Sequence, residues 1–329
     1  MTVLPKTVLL VAEHDRGTLA PATLEALTAA REVAAALGVD VAAITLGVAA
    51  DGLASLLAAH GAATVHQVHH DLLGDYGPEA WGEAVAQATH ALQPSAVIAC
   101  GTDRGNEVMA QAAARLGVPL VANCTAIDAS TDTWTITRSR WGGSLLECCT
   151  LTASVKLLTV TLHAFDATAK EAAGTVAALT VELDPSLART TVAERVERAA
   201  GVTLSTAPLV VGGGRGVGSP EGFAPLEELA GLMGGVVGCS RAVTNNGWRN
   251  HTDQVGQTGT RIAPDLYMAC GISGAIQHWV GAMASKKILA INTDPEANMV
   301  TKADYAVIGD LHTVVPAISA EVRRRQSRA

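Results

Sequence analysis

The sequence predicts an α/β protein of two domains, each a mostly parallel sheet flanked by helices. Three observations carry this. Short apolar runs alternate with stretches of helical period along most of the chain, which is the pattern of strands joined by helical crossovers. A length of 329 residues allows about two domains. The alternation changes at about residue 120, loses a clear core period over 184–205, and restarts at Ala207. We therefore expect an N-terminal domain over 1–205, ending in a linker at about 184–205, and a C-terminal domain over 206–329. The second is read as a doubly wound, Rossmann-like sheet, and the first as a sheet with extra, partly antiparallel strands.

Taken in order, residues 7–12 read as a strand and Thr18–Leu37 as a helix. Leu24, Leu27, Ala30, Ala34 and Leu37 recur at helical spacing, with Pro21 in the first turn and Gly38 closing the helix. Strand Val39–Leu46 and a short helix over Gly52–His60 follow. His66, His69 and His70 lie in a polar stretch. A helix from Pro78 to Ala91 leads to strand Ala96–Cys100, then the loop Gly101–Gly105 and a helix stopped by Gly117 and Pro119. Trp134–Arg138, Ser144–Leu151 and Leu157–Phe165 are strand-like with no helices between them. The second domain reads as strands Pro208–Val211, Gly235–Cys239, Leu266–Cys270, Lys287–Ile291 and Tyr305–Ile308, with helices between most of them and a last helix near Leu311–Arg325.

The chain is 49% hydrophobic but 3% aromatic, so its core must be built from Ala, Val, Leu and Ile. Mean hydropathy is +0.28, yet no apolar run approaches the ~18–20 residues of a spanning helix. Thr7–Ala12 is too short for a signal-peptide core, so the expectation is a cytoplasmic protein without membrane insertion. A net charge of −8 argues against nucleic acid as a partner. The six cysteines show no metal spacing and read as buried thiols.

The chemistry gathers in Gln254–His278: a glycine-rich polar loop, the strand Leu266–Cys270, then Gly271-Ile-Ser-Gly274 opening a helix. This places a helix N-terminus at the carboxyl end of a strand, where open α/β sheets bind ligands. With Ser273 as N-cap, free N–H groups would come from Gly274, Ala275 and Ile276, and the helix end favours an anion. His278 shares their face. A phosphate donor set beside an imidazole points to a nucleotide cofactor with a polar ring. Gly212-Gly-Gly-Arg-Gly-Val-Gly218 fits neither the dinucleotide fingerprint nor a Walker A loop, but its Arg215 suits phosphate. Ser240-Arg241, Asn292–Glu296 and Gly309–Leu311 also follow strands, so five strand ends converge on one edge. Asp310 is placed to accept from a ribose hydroxyl. No catalytic set emerges, since no carboxylate orients His278 and Ser273 reads as a cap.

These residues carry a resemblance. Gly213-Gly-Arg-Gly216, Ser240-Arg241, Gln254-Val-Gly-Gln-Thr-Gly259, Pro264-Asp-Leu-Tyr267, Gly271-Ile-Ser-Gly-Ala-Ile-Gln-His278, Ala290-Ile-Asn292, Asp294-Pro-Glu-Ala297, Ala303-Asp-Tyr305 and Gly309-Asp-Leu311 occur in the order and spacing of the electron transfer flavoprotein α subunit. Val8–His14 and Gly101–Gly117 resemble that family's first domain more loosely. The resemblance implies FAD held by the second domain at Arg215, Ser240, Arg241, Val255, Gly256, Gln257, Thr258, Ser273, Gly274, Ala275, Ile276, Gln277, His278, Asn292, Asp310 and Leu311. The residue matching Thr258 lies near flavin N5 in the family, and those matching Arg241 and His278 face the pyrimidine side as two cations.

The resemblance further implies an electron carrier rather than an enzyme. Its first domain would pack on a β subunit to form a heterodimer. It would take electrons from flavin dehydrogenases and pass them to a downstream acceptor such as a quinone oxidoreductase. Two alternatives stay open, an electron-bifurcating NADH-using relative and an oxidoreductase acting directly on a small substrate. The chain departs from the family words at Asn245, Thr260 and Asn298, and the Asn245–Asp253 stretch with Trp248 and His251 is unusual.

Overall fold

β1 (Thr7–Val11) is buried on both faces. Val8 and Leu10 point into one apolar layer, Leu9 and Val11 into the other. A parallel strand covered on both sides has no solvent face to serve, which is why its sequence is an unbroken apolar run. The computed structural model describes residues 7–194 and 202–327, and these form two compact units: 7–141 with 145–194, and 142–144 with 202–327.

The first unit continues through β2 (His14–Asp15), β3 (Thr18–Leu19), α1 (Ala22–Leu37), β4 (Asp40–Leu46), α2 (Ala54–Ala59) and β5 (Thr64–Val68). Next come α3 (Pro78–Leu92), β6 (Ala96–Cys100), α4 (Asp103–Leu116), β7 (Leu120–Asp128), β8 (Trp134–Arg140), β9 (Leu145–Leu151), β10 (Lys156–Val160) and β11 (Thr175–Ala178). The sheet order is β11-β5-β4-β1-β6-β10-β7-β8-β9. Pairs from β11 to β7 are parallel, and β8 and β9 are added antiparallel at the end, as the alternation at Trp134 implied. Ala26, Leu27 and Ala30 of α1 pack on the Val8 face. Trp81 of α3 and Met109 of α4 pack on the Leu9 face.

Several boundaries differ from expectation, each for a local reason. α1 starts at Ala22, because Thr18–Leu19 pairs with His14–Asp15 around a turn at Arg16 and Gly17, both at positive φ. Pro21 is therefore the N-cap rather than part of the first turn. The helix expected over Gly52–His60 is a 3-10 turn, Val48–Leu53, followed by α2. The polar histidine stretch contains β5, whose burial rests on Val65 and Val68 alone. β10 stops at Val160, short of Phe165. The short β11, mostly exposed, had no apolar signal to reveal it. In the expected linker, Pro185–Leu187 is a 3-10 turn, and 195–201 lie outside the described residues. Cys100, Cys124, Cys239 and Cys270 are buried, but Cys148 is exposed and Cys149 half-buried on β9, much of which is open. Among the described residues no helix is long and apolar enough to cross a membrane.

The second unit comprises β12 (Leu209–Gly213), α5 (Ala224–Leu232), β13 (Val236–Cys239), α6 (Arg241–Asn245), β14 (Leu266–Cys270), α7 (Ile276–Ala282), β15 (Ile288–Asn292), α8 (Asn298–Lys302), β16 (Tyr305–Ile308) and α9 (Leu311–Gln326). Its five strands are all parallel, in the order β13-β12-β14-β15-β16. Counted from β12 this is 2-1-3-4-5, so the chain reverses direction once, between β12 and β14. The loops leaving those two strands must part, and the crevice they leave is where this class of sheet binds ligands. Leu209, Val211 and Met268 face α5 and α9. Val210, Tyr267 and Ala269 face the other way, toward α7 and α8.

Candidate functional site

The glycine run after β12 is used for close packing at the switch point. Gly214 N–H donates to the Cys270 carbonyl and Gly216 N–H to the Gly271 carbonyl, at 2.9 and 3.1 Å. A Cβ on Gly214 would sit 2.1 Å from the Gly271 oxygen. The two loops that flank the crevice are thus knit together at its base, and Arg215 is exposed between these contacts, at the start of a 3-10 turn.

On the β14 side the turn runs longer than the sequence implied. Gly271 and Gly274 both have left-handed backbones, φ 62° and 78°. Helical geometry begins only at Ile276, with Ala275 at the cap position. Ser273 is therefore not the N-cap; its carbonyl accepts from Met299 N–H at 3.2 Å. The helix-end N–H groups come from Ile276 onward, and the Gly271–Ala275 backbone forms one wall of the cleft instead.

That cleft has a volume of about 460 Å³ and receives a contribution from all five strand ends. Arg215 enters after β12, Ser240 and Arg241 after β13, and Ser273, Gly274, Ala275, Gln277 and His278 after β14. Asn292 follows β15, while Asp310 and Leu311 follow β16. Among the described residues neither Arg215 nor Arg241 has a carboxylate partner. Two unpaired guanidinium groups on one cleft make an anion site. Ser240 precedes α6 in extended conformation without capping it, so its hydroxyl is uncommitted there. Asn292 is tied into the wall: Nδ2 donates to the Ile272 carbonyl and Oδ1 accepts from Asp294 N–H. Asp310 caps α9 by accepting from His312 N–H at 3.0 Å.

His278 departs from the expected pair of cations. It is 6% exposed, and its Nε2 lies 2.7 Å from the Tyr267 hydroxyl. Burial brings its pKa down from 6.5 to about 4, opposed by the backbone of Val255, which lies close enough to favour the protonated ring. At neutral pH it is a neutral imidazole, so Arg241 is the fixed charge and His278 a hydrogen-bonding group. Its Nδ1 is buried and has no partner within hydrogen-bond geometry among the described residues.

Five expected residues lie outside the cleft walls: Val255, Gly256, Gln257, Thr258 and Ile276. The Val255–Thr258 loop runs along α7, with Gln257 N–H donating to the Gln277 carbonyl at 2.7 Å. Its anchor is the buried Gln254, whose amide donates to Thr258 Oγ1 at 2.9 Å and accepts from Thr244 Oγ1 at 2.7 Å. Ile276 points outward, half exposed. Gly216, Gly271, Ile272, Thr293, Asp294 and Gly309, which lie in the strand-end stretches read from the sequence but were not named as FAD contacts, also line the cleft, as do Ala242 and Ala297, which lie outside those stretches. Ala242 follows the strand-end pair Ser240-Arg241 but carries no chemistry of its own, and Ala297 had no chemical signal in the sequence.

A family model described as the electron transfer flavoprotein domain matches residues 8–186, and one described as the electron transfer flavoprotein FAD-binding domain matches 203–283. An electron transfer flavoprotein subunit alpha from Thermoanaerobacterium thermosaccharolyticum is 35% identical, over 97% of this chain and 98% of its own. A Clostridium saccharobutylicum protein named FixB is 36% identical, over 97% and 96%. A Bacillus subtilis electron transfer flavoprotein subunit alpha is 33% identical, over 97% and 98%. Near-complete coverage of both chains at these identities, with the FAD-binding model falling on the unit that bears the cleft, shows that the chain belongs to the electron transfer flavoprotein family as an α subunit.

Proposed function

We propose that this chain holds FAD in the cleft of its second unit and works as the α half of a heterodimeric carrier. It takes electrons from flavin dehydrogenases and delivers them to a downstream acceptor such as a quinone oxidoreductase. The observation that carries the reading is the donor set at the switch point. Two arginines without carboxylate partners among the described residues, and a histidine with a buried ring nitrogen that meets no partner within hydrogen-bond geometry among them, line one cleft. That set fits a group with both phosphates and a polar ring.

In this reading Arg215 and Ser240 hold the pyrophosphate with the Gly271–Ala275 backbone. Asp310 accepts from a ribose hydroxyl with its second carboxylate oxygen, and Arg241 and His278 meet the ring. When bound, FAD supplies reversible uptake of single electrons, which side chains alone do not offer. Arg241 places a positive charge, and His278 a neutral N–H, where negative charge added to the ring is stabilised. In this reading the exposed Gln257 and Thr258 meet the cofactor from their loop beside α7, while Val255 is buried in the core beneath them.

The first unit pairs with the β subunit. Leu145 and Leu146 on β9 are 56% and 70% exposed, apolar surface of the kind a partner covers. The carrier works in the cytoplasm and has no catalytic set of its own. Purifying the chain co-expressed with its β partner tests this. Flavin absorption with FAD recovered on denaturation, and reduction by a flavin dehydrogenase rather than by a small substrate alone, is the expected result. A colourless complex that takes up no FAD overturns the reading.

A further inference from the structure

The hydroxyl of Tyr267 is an unusual neighbour for a cofactor site. The residue is fully buried in β14, burial pushes its phenol well above the ordinary value, and it stays protonated. Gly212 on the adjacent β12 leaves room for it: a Cβ there would meet the hydroxyl oxygen at 2.4 Å. The only hydrogen-bond partner of that hydroxyl among the described residues is His278 Nε2, at 2.7 Å, with the two rings nearly parallel, 29° apart.

One proton decides the arrangement. A buried phenol must spend its O–H on an acceptor, and leaving it unspent costs about 1–3 kcal/mol. Were Nε2 to carry the imidazole proton, it would donate to the phenolic oxygen and the Tyr267 O–H would have no acceptor among the described residues. With Tyr267 donating, Nε2 is the acceptor. The proton of the neutral ring must then reside on Nδ1. Nδ1 is buried and meets no acceptor within hydrogen-bond geometry among the described residues, although the Val255 backbone lies near the ring, and its side chain lines the cleft.

We propose that Tyr267 is a positioning residue: its hydroxyl locks His278 in the Nδ1–H tautomer, so that a neutral N–H is presented to the electron-rich carbonyl edge of the bound flavin. The ligand's identity rests on the FAD reading above, whereas the tautomer is a property of this chain. Tyr267 is fully buried and is not among the residues lining the cleft, so it acts through the imidazole. Gly212, by admitting the phenol, belongs to the same device.

The test uses the complex with its β partner, labelled with ¹⁵N-histidine, with the His278 signals assigned by their loss in His278→Gln. In the wild type, Nδ1 should give the protonated and Nε2 the unprotonated resonance; the reverse pattern overturns the proposal and needs no further variant. In Tyr267→Phe the Nδ1–H population should fall, and the first reduction potential of the bound flavin should drop with FAD content unchanged. In the His278→Gln background the same Tyr267→Phe change should leave the potential where it was. An equal drop in that background would make Tyr267 a merely structural residue and overturn the proposal. A wild-type complex without flavin would defeat the FAD reading while leaving the tautomer measurement intact.

Discussion

In the proposed reading Arg241 and His278 divide one task, and the division can be measured. Arg241 is exposed at the first turn of α6 and has no carboxylate partner among the described residues, so its charge is available to the cleft. A charge-assisted hydrogen bond contributes ~1.5–3 kcal/mol, so Arg241→Ala should lower the first reduction potential of the flavin by roughly 60–130 mV. Potentiometric titration of the complex reads this directly, and an unchanged first couple would remove Arg241 from the ring. His278 is expected to show itself in stability instead. Its folded pKa of about 4 lies below the ordinary 6.5, so between those values the unfolded chain binds more protons than the folded one. Stability is therefore lost as pH falls through this window, by roughly 2 kcal/mol between pH 7 and 5. His14, also lowered by burial, adds in the same direction. Urea denaturation of His278→Gln should show a flatter pH dependence from 7 to 5, and an unaltered slope would mean the imidazole is not buried as described. The sequence showed an imidazole beside a glycine turn; it could not show burial, which depends on Tyr267 and Gly212 arriving from two different strands.

The same boundary between legible and illegible runs through the elements. β6, β14 and β16 have the limits read from the sequence, since glycine or polar residues flank each apolar run. The cap of α7 was misread because a serine ahead of an apolar stretch satisfies the local rule, while the left-handed Gly274 is imposed from outside. A Cβ there would lie 2.4 Å from the Met299 nitrogen, on the segment that opens α8. Gly274→Ala therefore meets both backbone strain and a contact with main chain that cannot swing away. It should cost about 1–3 kcal/mol of stability. It should also weaken FAD retention, since Gly274 is part of the cleft wall. Chemical denaturation and FAD released on gel filtration check the two effects; a variant with native stability and full flavin would show that the turn has slack.

At the scale of the molecule the two units share a topological feature but use it differently. In the first sheet the chain also reverses direction beside β1, between β1 and β6. There the crevice is filled: the Glu13 carboxylate accepts from the Thr102 hydroxyl and from Cys100 Sγ, while Thr102 also caps α4. The space left among Glu13, Tyr76, Trp81 and Arg104 is about 10 Å³, less than a cofactor ring requires, against about 460 Å³ in the second unit. In the proposed reading, glycine and arginine without a carboxylate partner among the described residues at one switch point, and a carboxylate bonded to a threonine and a thiol at the other, decide which sheet takes FAD. FAD should then stabilise only the second unit. At a free concentration of ~100 times Kd it adds about 2.7 kcal/mol to the unit that binds it. Amide hydrogen exchange of the complex with its β partner, with and without FAD, should slow in β12, β14 and β15 and remain unchanged in β1, β4 and β6. Equal protection of both sheets would mean either that the cofactor also engages the first unit or that the two unfold as one, and the assignment of the cleft as a self-contained site would have to be withdrawn.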